Sequence, residues 1–125
     1  MDDLLNYPGD ADVISALQAA IQAEGHLNLQ YRMDWRVVKN LGVKKVAKVL
    51  REYGHDTHKW LRFVTDRCLF LGGSTDYEVG RVVEGDSLSG ILKAELELEM
   101  AVVRPYEQAI QTARVPSEAD NAAID

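Results

Sequence analysis

Residues 12–39 read DVISALQAAIQAEGHLNLQYRMDWRVVK, and the spacing inside this stretch decides the architecture. Val13, Leu17, Ala20 with Ile21, Glu24, Leu27 with Asn28, Tyr31, Trp35 and Val38 recur every three or four residues, which places them on one face of a helix. Pro8-Gly9-Asp10 leads in, Asp12 is a suitable N-cap, and Asn40 or Gly42 supplies the left-handed stop. The run predicts a helix over 12–39 that rises roughly 40 Å, and helices of that length bury an apolar stripe by lying side by side.

Working outward, a second periodic segment runs from Val43 to Leu71 and is broken by Gly72-Gly73-Ser74. Ser74 to Asp86 is irregular, contains glycine, and reads as a long crossover. Asp86-Ser87 caps a third segment that reaches Arg114, with Pro105 inside it as an expected kink. Residues 115–125 are polar and aperiodic, a frayed tail. The prediction is an all-α bundle of three long helices in residues 1–114, with a short tail.

The chain has 125 residues, one domain's worth. Its 46% hydrophobic and 27% charged fractions are those of a soluble globular domain. A net charge of -6, with Lys44, Lys45 and Lys48 as the longest basic cluster in sequence, argues against nucleic acid as the main partner. The one cysteine, Cys68, forms no internal disulfide and suits a reducing compartment, so a cytoplasmic location is expected. The start of the chain, Met1-Asp2-Asp3-Leu4-Leu5, is acidic where a signal peptide is basic. No run approaches the ~18 apolar residues of a membrane span, so neither secretion nor membrane insertion is expected.

Two acids interrupt the apolar stripes. Glu24 falls in the middle of the first helix's inward face, and Glu99 shares a face of the third helix with Leu88, Leu92, Leu96, Val103, Tyr106 and Ile110. An ionised carboxylate taken out of water costs several kcal/mol unless it is paired, hydrogen-bonded or bound to metal. One resolution is a contact with arginine or with Tyr31 or Tyr106 as donor. The other is metal ligation, since carboxylates on facing helices are how bundle cores hold iron or manganese. Glu95 and Glu97 read as a solvated edge, with metal ligation by Glu95 the lesser alternative.

The apolar stripe of the second helix (Val43, Val46, Leu50, Tyr53, Thr57, Trp60 with Leu61, Val64, Cys68, Leu71) brings no acid or histidine to that depth. Its histidines lie on a neighbouring polar strip with Arg51, His55, His58, Arg62, Thr65 and Leu69. That strip is either a solvated face or an interface on which His55 or His58 ligates a haem iron and the arginines meet its propionates. His26 reads as a surface or packing residue. Glu52 and His55 have the E-x-x-H spacing, a weak signal by itself.

Taken together, the helices, the two inward glutamates and Asp66-Arg67-Cys68-Leu69-Phe70-Leu71-Gly72-Gly73 resemble bacterioferritin, of the ferritin-like superfamily, over about residues 12–114. Glu24 and Tyr31 match that family's glutamate and the tyrosine seven residues on. Asp66–Gly73 is similar to its E-R-I-L-F-L-E-G, Leu96-Glu97-Leu98-Glu99 to its D-L-x-L-E, and Tyr106-Glu107-Gln108-Ala109-Ile110 to its R-E-A-I. The resemblance implies that Glu24 is the terminal and Glu99 the bridging carboxylate of a di-iron ferroxidase centre. It also marks departures. An ungapped match of the second helix puts Thr57 and Trp60 where the family has its first E-x-x-H, and the chain stops before the helix that carries the second. A three-residue slip would recruit Glu52 and His55 instead. The same match puts His58 at the family's haem-ligating methionine on the dimer interface.

The resulting expectation is an iron-binding, iron-storage protein of bacterioferritin type. Glu24 and Glu99 are its residual ligands, and a complete intrachain ferroxidase centre is not expected. Three helices leave a groove, so a homo-oligomer, a dimer or larger shell associating through the face of the first two helices, is expected to close the bundle. The alternatives are a haem-binding dimer that uses His58, and a purely structural or interaction bundle.

Overall fold

The computed structural model describes residues 10–114. It contains helices α1 (Asp10–Asn40), α2 (Lys44–Phe70) and α3 (Leu88–Arg114), with no strand among the described residues. The helices begin and end within about two residues of the positions set by the punctuation. Gly42 and Gly72 have φ of +90° and +86° and end α1 and α2 in the left-handed conformation that glycine adopts without a Cβ clash. Ser87 caps α3: its Oγ accepts from the Gly90 N–H at 3.1 Å. α3 continues through Pro105 to Arg114. The predicted tail, 115–125, lies outside the described residues. No described helix is long and apolar enough to cross a membrane.

α1 is the shared partner. α2 and α3 each pack along it, and no comparable packing joins α2 to α3. Both run antiparallel to α1: Leu17 shares a cluster with Val64 and Cys68 and Val38 one with Ala47 on one side, while Tyr31 reaches Glu99 and Glu24 reaches Tyr106 on the other. α2 and α3 are therefore parallel, and residues 71–87 travel back along the bundle. α1 side chains hold this crossover as it passes. Gln18 donates to Ser74 O (3.0 Å), His26 Nε2 to Arg81 O (3.0 Å), and Gln30 exchanges two bonds with the Val83 backbone (2.8 and 3.1 Å). His26, read from the sequence as a surface or packing residue, thus helps to hold the crossover.

The core falls into two apolar clusters. Ala16, Leu17, Ala20, Ile21, Val64, Cys68 and Ala109 fill one end. Leu27, Tyr31, Val38, Ala47, Leu50, Ile91 and Val102 fill the other. Between them lies a polar layer of Glu24, Asn28 and Thr57, all buried.

Two stripes face differently from their prediction. On α3 the buried positions are Ile91, Glu95, Val102 and Ala109, while Leu92, Leu96, Val103 and Ile110 are exposed. On α2 the buried positions are Ala47, Leu50, Gly54, Thr57, Val64 and Cys68, while Tyr53 and Trp60 are exposed. The physical reason is close approach. A Cβ at Gly54 would already touch the Tyr31 Cβ at 3.4 Å, so the face carrying Ala47, Gly54 and Cys68 lets α2 come close to α1, and Tyr53 and Trp60 turn to the flank.

Gly73 offers a direct check of this packing. A Cβ there would stand 2.6 Å from Cys68 Sγ and 2.7 Å from Ile14 Cγ2. Gly73→Ala is expected to destabilise by about 1–3 kcal/mol through overpacking, read as a lower midpoint in urea unfolding. An unchanged midpoint would show that the crossover yields freely at this point.

Candidate metal centre

The polar layer is built from crossed pairs on α1 and α3. Glu24 is 4% exposed; its Oε1 accepts from Tyr106 OH at 3.0 Å, while its buried Oε2 has no partner among the described residues. Glu99, half-buried, accepts from Tyr31 OH at 2.6 Å through Oε1. Each helix therefore supplies one carboxylate and the phenol that orients the other helix's carboxylate. Both acids border an open cleft of about 180 Å³, which Tyr53, Asp56, Thr57 and Trp60 of α2 also line.

The electrostatics are those of two acids crowded into a poor solvent. Burial pushes the Glu24 carboxyl up to about 7, the Tyr106 bond opposes that rise, and the negative charge of Glu99 adds to it. Burial, together with the bonded carboxylate, pushes both tyrosines well above the usual phenol range. The unpartnered Oε2 can be satisfied by a proton or a cation, so the layer is chemically able to take a metal. Its donor set is sparse: no group of three His, Cys, Asp or Glu among the described residues is arranged to hold one.

Thr57 and Trp60 explain the sparseness. The Thr57 hydroxyl donates to Gly54 O (2.9 Å) and accepts from Asn28 Nδ2 (3.1 Å), a neutral network that adds no carboxylate to the layer. Trp60 is 57% exposed on the cleft rim. Glu52 and His55 do not replace them. Both are exposed, and His55 lines a different groove, between α1 and α2.

His58 lies in that same groove, with Arg32, Trp35, Arg36 and Arg51. The Arg36 and Arg51 guanidiniums lie 4.4 and 5.3 Å from the Trp35 ring centre. The fold joins this groove to a second, lined by Lys39, Lys44 and Lys48, so the basic surface is wider than the sequence cluster alone. Arg62, expected on the same strip, is exposed and does not line the first groove.

Sequence reasoning missed a second acid pair. Asp34 on α1 and Glu95 on α3 are both buried, which corrects the reading of Glu95 as a solvated edge. The rotation of α3 that exposes Leu92 and Leu96 is what carries Glu95 inward. The available signal was position: Asp34 lies between Tyr31 and Val38 on the inward face of α1, and Glu95 is one turn before Glu99.

Three long helices, a crossover that runs the length of the bundle and carboxylates meeting at mid-depth define a ferritin-like domain. Consistent with that, the Ferritin family profile, described as a ferritin-like domain, matches residues 14–123. The chain belongs to this family. Among curated proteins, it is 26% identical over 117 residues to bacterioferritin of Streptomyces coelicolor, covering 93% of this chain and 70% of that protein. It is equally similar to bacterioferritin of Mycobacterium leprae and to bacterioferritin BfrA of Mycobacterium tuberculosis, each at 26% identity over 93% of this chain and 74% of the relative. No solved structure matches the chain.

Proposed function

We propose that this chain binds iron in a bacterioferritin-like assembly, with Glu24 and Glu99 as the carboxylate ligands. The observation that carries this reading is the buried, unpartnered Oε2 of Glu24 in the same cleft as Glu99. Iron is the cargo here. Tyr31 and Tyr106 each hold one oxygen of a carboxylate through a hydrogen bond and leave the other to meet the ion, which favours binding at fixed geometry. Thr57 and Trp60 add no ligand and Asp56 is exposed at the rim, so Glu24 and Glu99 are the inward carboxylates these helices offer, and a partner copy supplies further donors in this reading.

The cleft supports closure by a second copy, because its rims are apolar and unpartnered. Trp60 and Phe63 on α2 and Leu96, Met100 and Val103 on α3 are all exposed. A partner helix laid between them would bury both rims and cover the acids. A reducing, cytoplasmic setting fits the free, buried Cys68.

Anaerobic titration of the purified chain with ferrous iron, followed by desalting and elemental analysis, tests the site. About one or two iron atoms per centre are expected to stay bound, and Glu24→Ala or Glu99→Ala is expected to release them. Equal retention in both variants rejects these ligands. A second reading, haem held by His58, is favoured by the arginine-lined groove around that side chain. It requires a Soret band that vanishes in His58→Ala. Colourless, iron-free protein that Glu24→Leu makes more stable would leave only a structural bundle.

A further inference from the structure

Asp34 and Glu95 are 1% and 3% exposed, and Asp34 Oδ2 and Glu95 Oε2 have no donor among the described residues. The two carboxyl groups lie within hydrogen-bonding reach of each other. The Gln30 amide donates to Asp34 Oδ1 (2.9 Å) and is otherwise engaged with Val83, so it cannot serve the free oxygens. Two acceptors face to face in an apolar interior repel unless a proton or a cation lies between them. The surroundings favour the cation. Asp34 borders an open cavity of about 510 Å³ between α1, the crossover and α3, whose lining includes Glu84, Asp86 and Glu97 and no basic side chain. A shared proton requires no such vestibule, whereas an acid-lined opening raises the local concentration of cations.

We propose that Asp34 and Glu95 form a site for a hard divalent cation of the magnesium or manganese type, separate from the Glu24–Glu99 centre. An all-oxygen donor set selects hard ions. Such ions commonly bind through one or two carboxylates and keep several waters, for which the cavity has room. The other titratable groups bearing on the pair are Tyr31 on α1 and Glu99 on α3, with Glu84, Asp86 and Glu97 at the opening. All are acids or neutral, so none replaces the cation. The ion displaces whatever proton the pair holds, so affinity rises with pH, by up to about tenfold per pH unit for one proton released.

The test is manganese(II) titration of the full chain carrying Glu24→Gln and Glu99→Gln, followed by the loss of the free-ion electron paramagnetic resonance signal. That background removes the proposed iron centre, so failure there and failure here are distinguishable. One bound ion per chain is expected, held more tightly at about pH 8 than at about pH 6. Adding Glu95→Gln, or Asp34→Asn, is expected to weaken binding at least tenfold, and manganese should raise the melting temperature of the parent and not of these variants. Circular dichroism checks that each is folded, and the two variants serve as independent tests. Equal binding in the folded variants, binding that does not strengthen with pH, or no binding in the parent overturns the proposal; the last leaves a carboxyl pair that shares only a proton.

Discussion

Stripped of metal, the chain is expected to lose stability steadily as pH rises from about 5 to about 9, by on the order of several kcal/mol in total. The cause is the set of buried acids. Burial, then the bond and charge of Asp34, then the charge of Glu99 push the Glu95 carboxyl up to about 9. Burial likewise raises Asp34, and Glu24 reaches about 7. A carboxyl whose pKa is higher folded than unfolded keeps its proton in the folded state and loses it more readily when unfolded. Its contribution is therefore complete below the ordinary carboxylate value of 4.5 and is lost as pH climbs through the folded value. The window runs from about 4.5 to 7 for Glu24 and on to about 9 for Glu95. Every tenfold change in proton affinity between the two states corresponds to about 1.4 kcal/mol. Urea midpoints measured across this range in the presence of a chelator should fall monotonically, and Glu95→Gln should flatten the upper part of the curve while leaving the Glu24 part. A profile that is flat, or that rises toward pH 9, would show that water reaches these carboxyls.

Leu96→Lys combined with Val103→Lys is expected to break the contact across the α2–α3 cleft without unfolding the chain, whatever contact the face of α1 and α2 makes. Leu96, Val103 and Ile110 recur every seven residues, and Leu92 precedes Leu96 by four, the spacing of a seam that meets another helix. Yet α1 contacts the adjacent stripe of α3, and Leu96 is left 61% exposed. Within one chain, exchanging two such exposed residues for lysine should cost no more than about 0.5 kcal/mol each. At an interface, each buried leucine or valine contributes about 1.5–3 kcal/mol, and the lysines would add buried charge. Association should therefore weaken by at least about a hundredfold. Sedimentation at micromolar concentration distinguishes the outcomes. A lower mass for the variant than for the multimeric parent is expected; the same multimeric mass for both would rule out this seam as an interface.

The centre is partly legible in the amino-acid sequence. Glu24 stands out because Ala20, Ile21 and Leu27, three or four residues away, are apolar, and Glu99 because Leu96, Val102 and Val103 are; the fold brings both acids to one cleft. Their partners Tyr31 and Tyr106 can be named from the same stripes, although the crossed pairing cannot, because it depends on the antiparallel register of α1 and α3. Asp34 and Glu95 are hidden for a different reason. Glu95 and Glu97 each lie about 100° to one side of Leu96, so neither is inside when Leu96 points inward, and one residue of rotation about the axis of α3 brings Glu95 in. The resemblance implies that Thr57 stands where the family has a ligand, and the structure adds that its hydroxyl is bonded to Asn28 and Gly54.

Local rules alone are sufficient for three helices, their ends and the crossover, because glycine, proline and capping residues act through backbone conformation within a few residues of themselves. Periodicity also tells which residues share a face. It does not determine the angle of each helix about its own axis, since α3 carries two adjacent apolar stripes of similar quality. That choice requires α1 as a neighbour. Contact at Ala47, Gly54 and Ala109 brings backbones close, and the rotation that permits it also drives Glu95 into the interior and leaves Leu96 and Val103 facing outward.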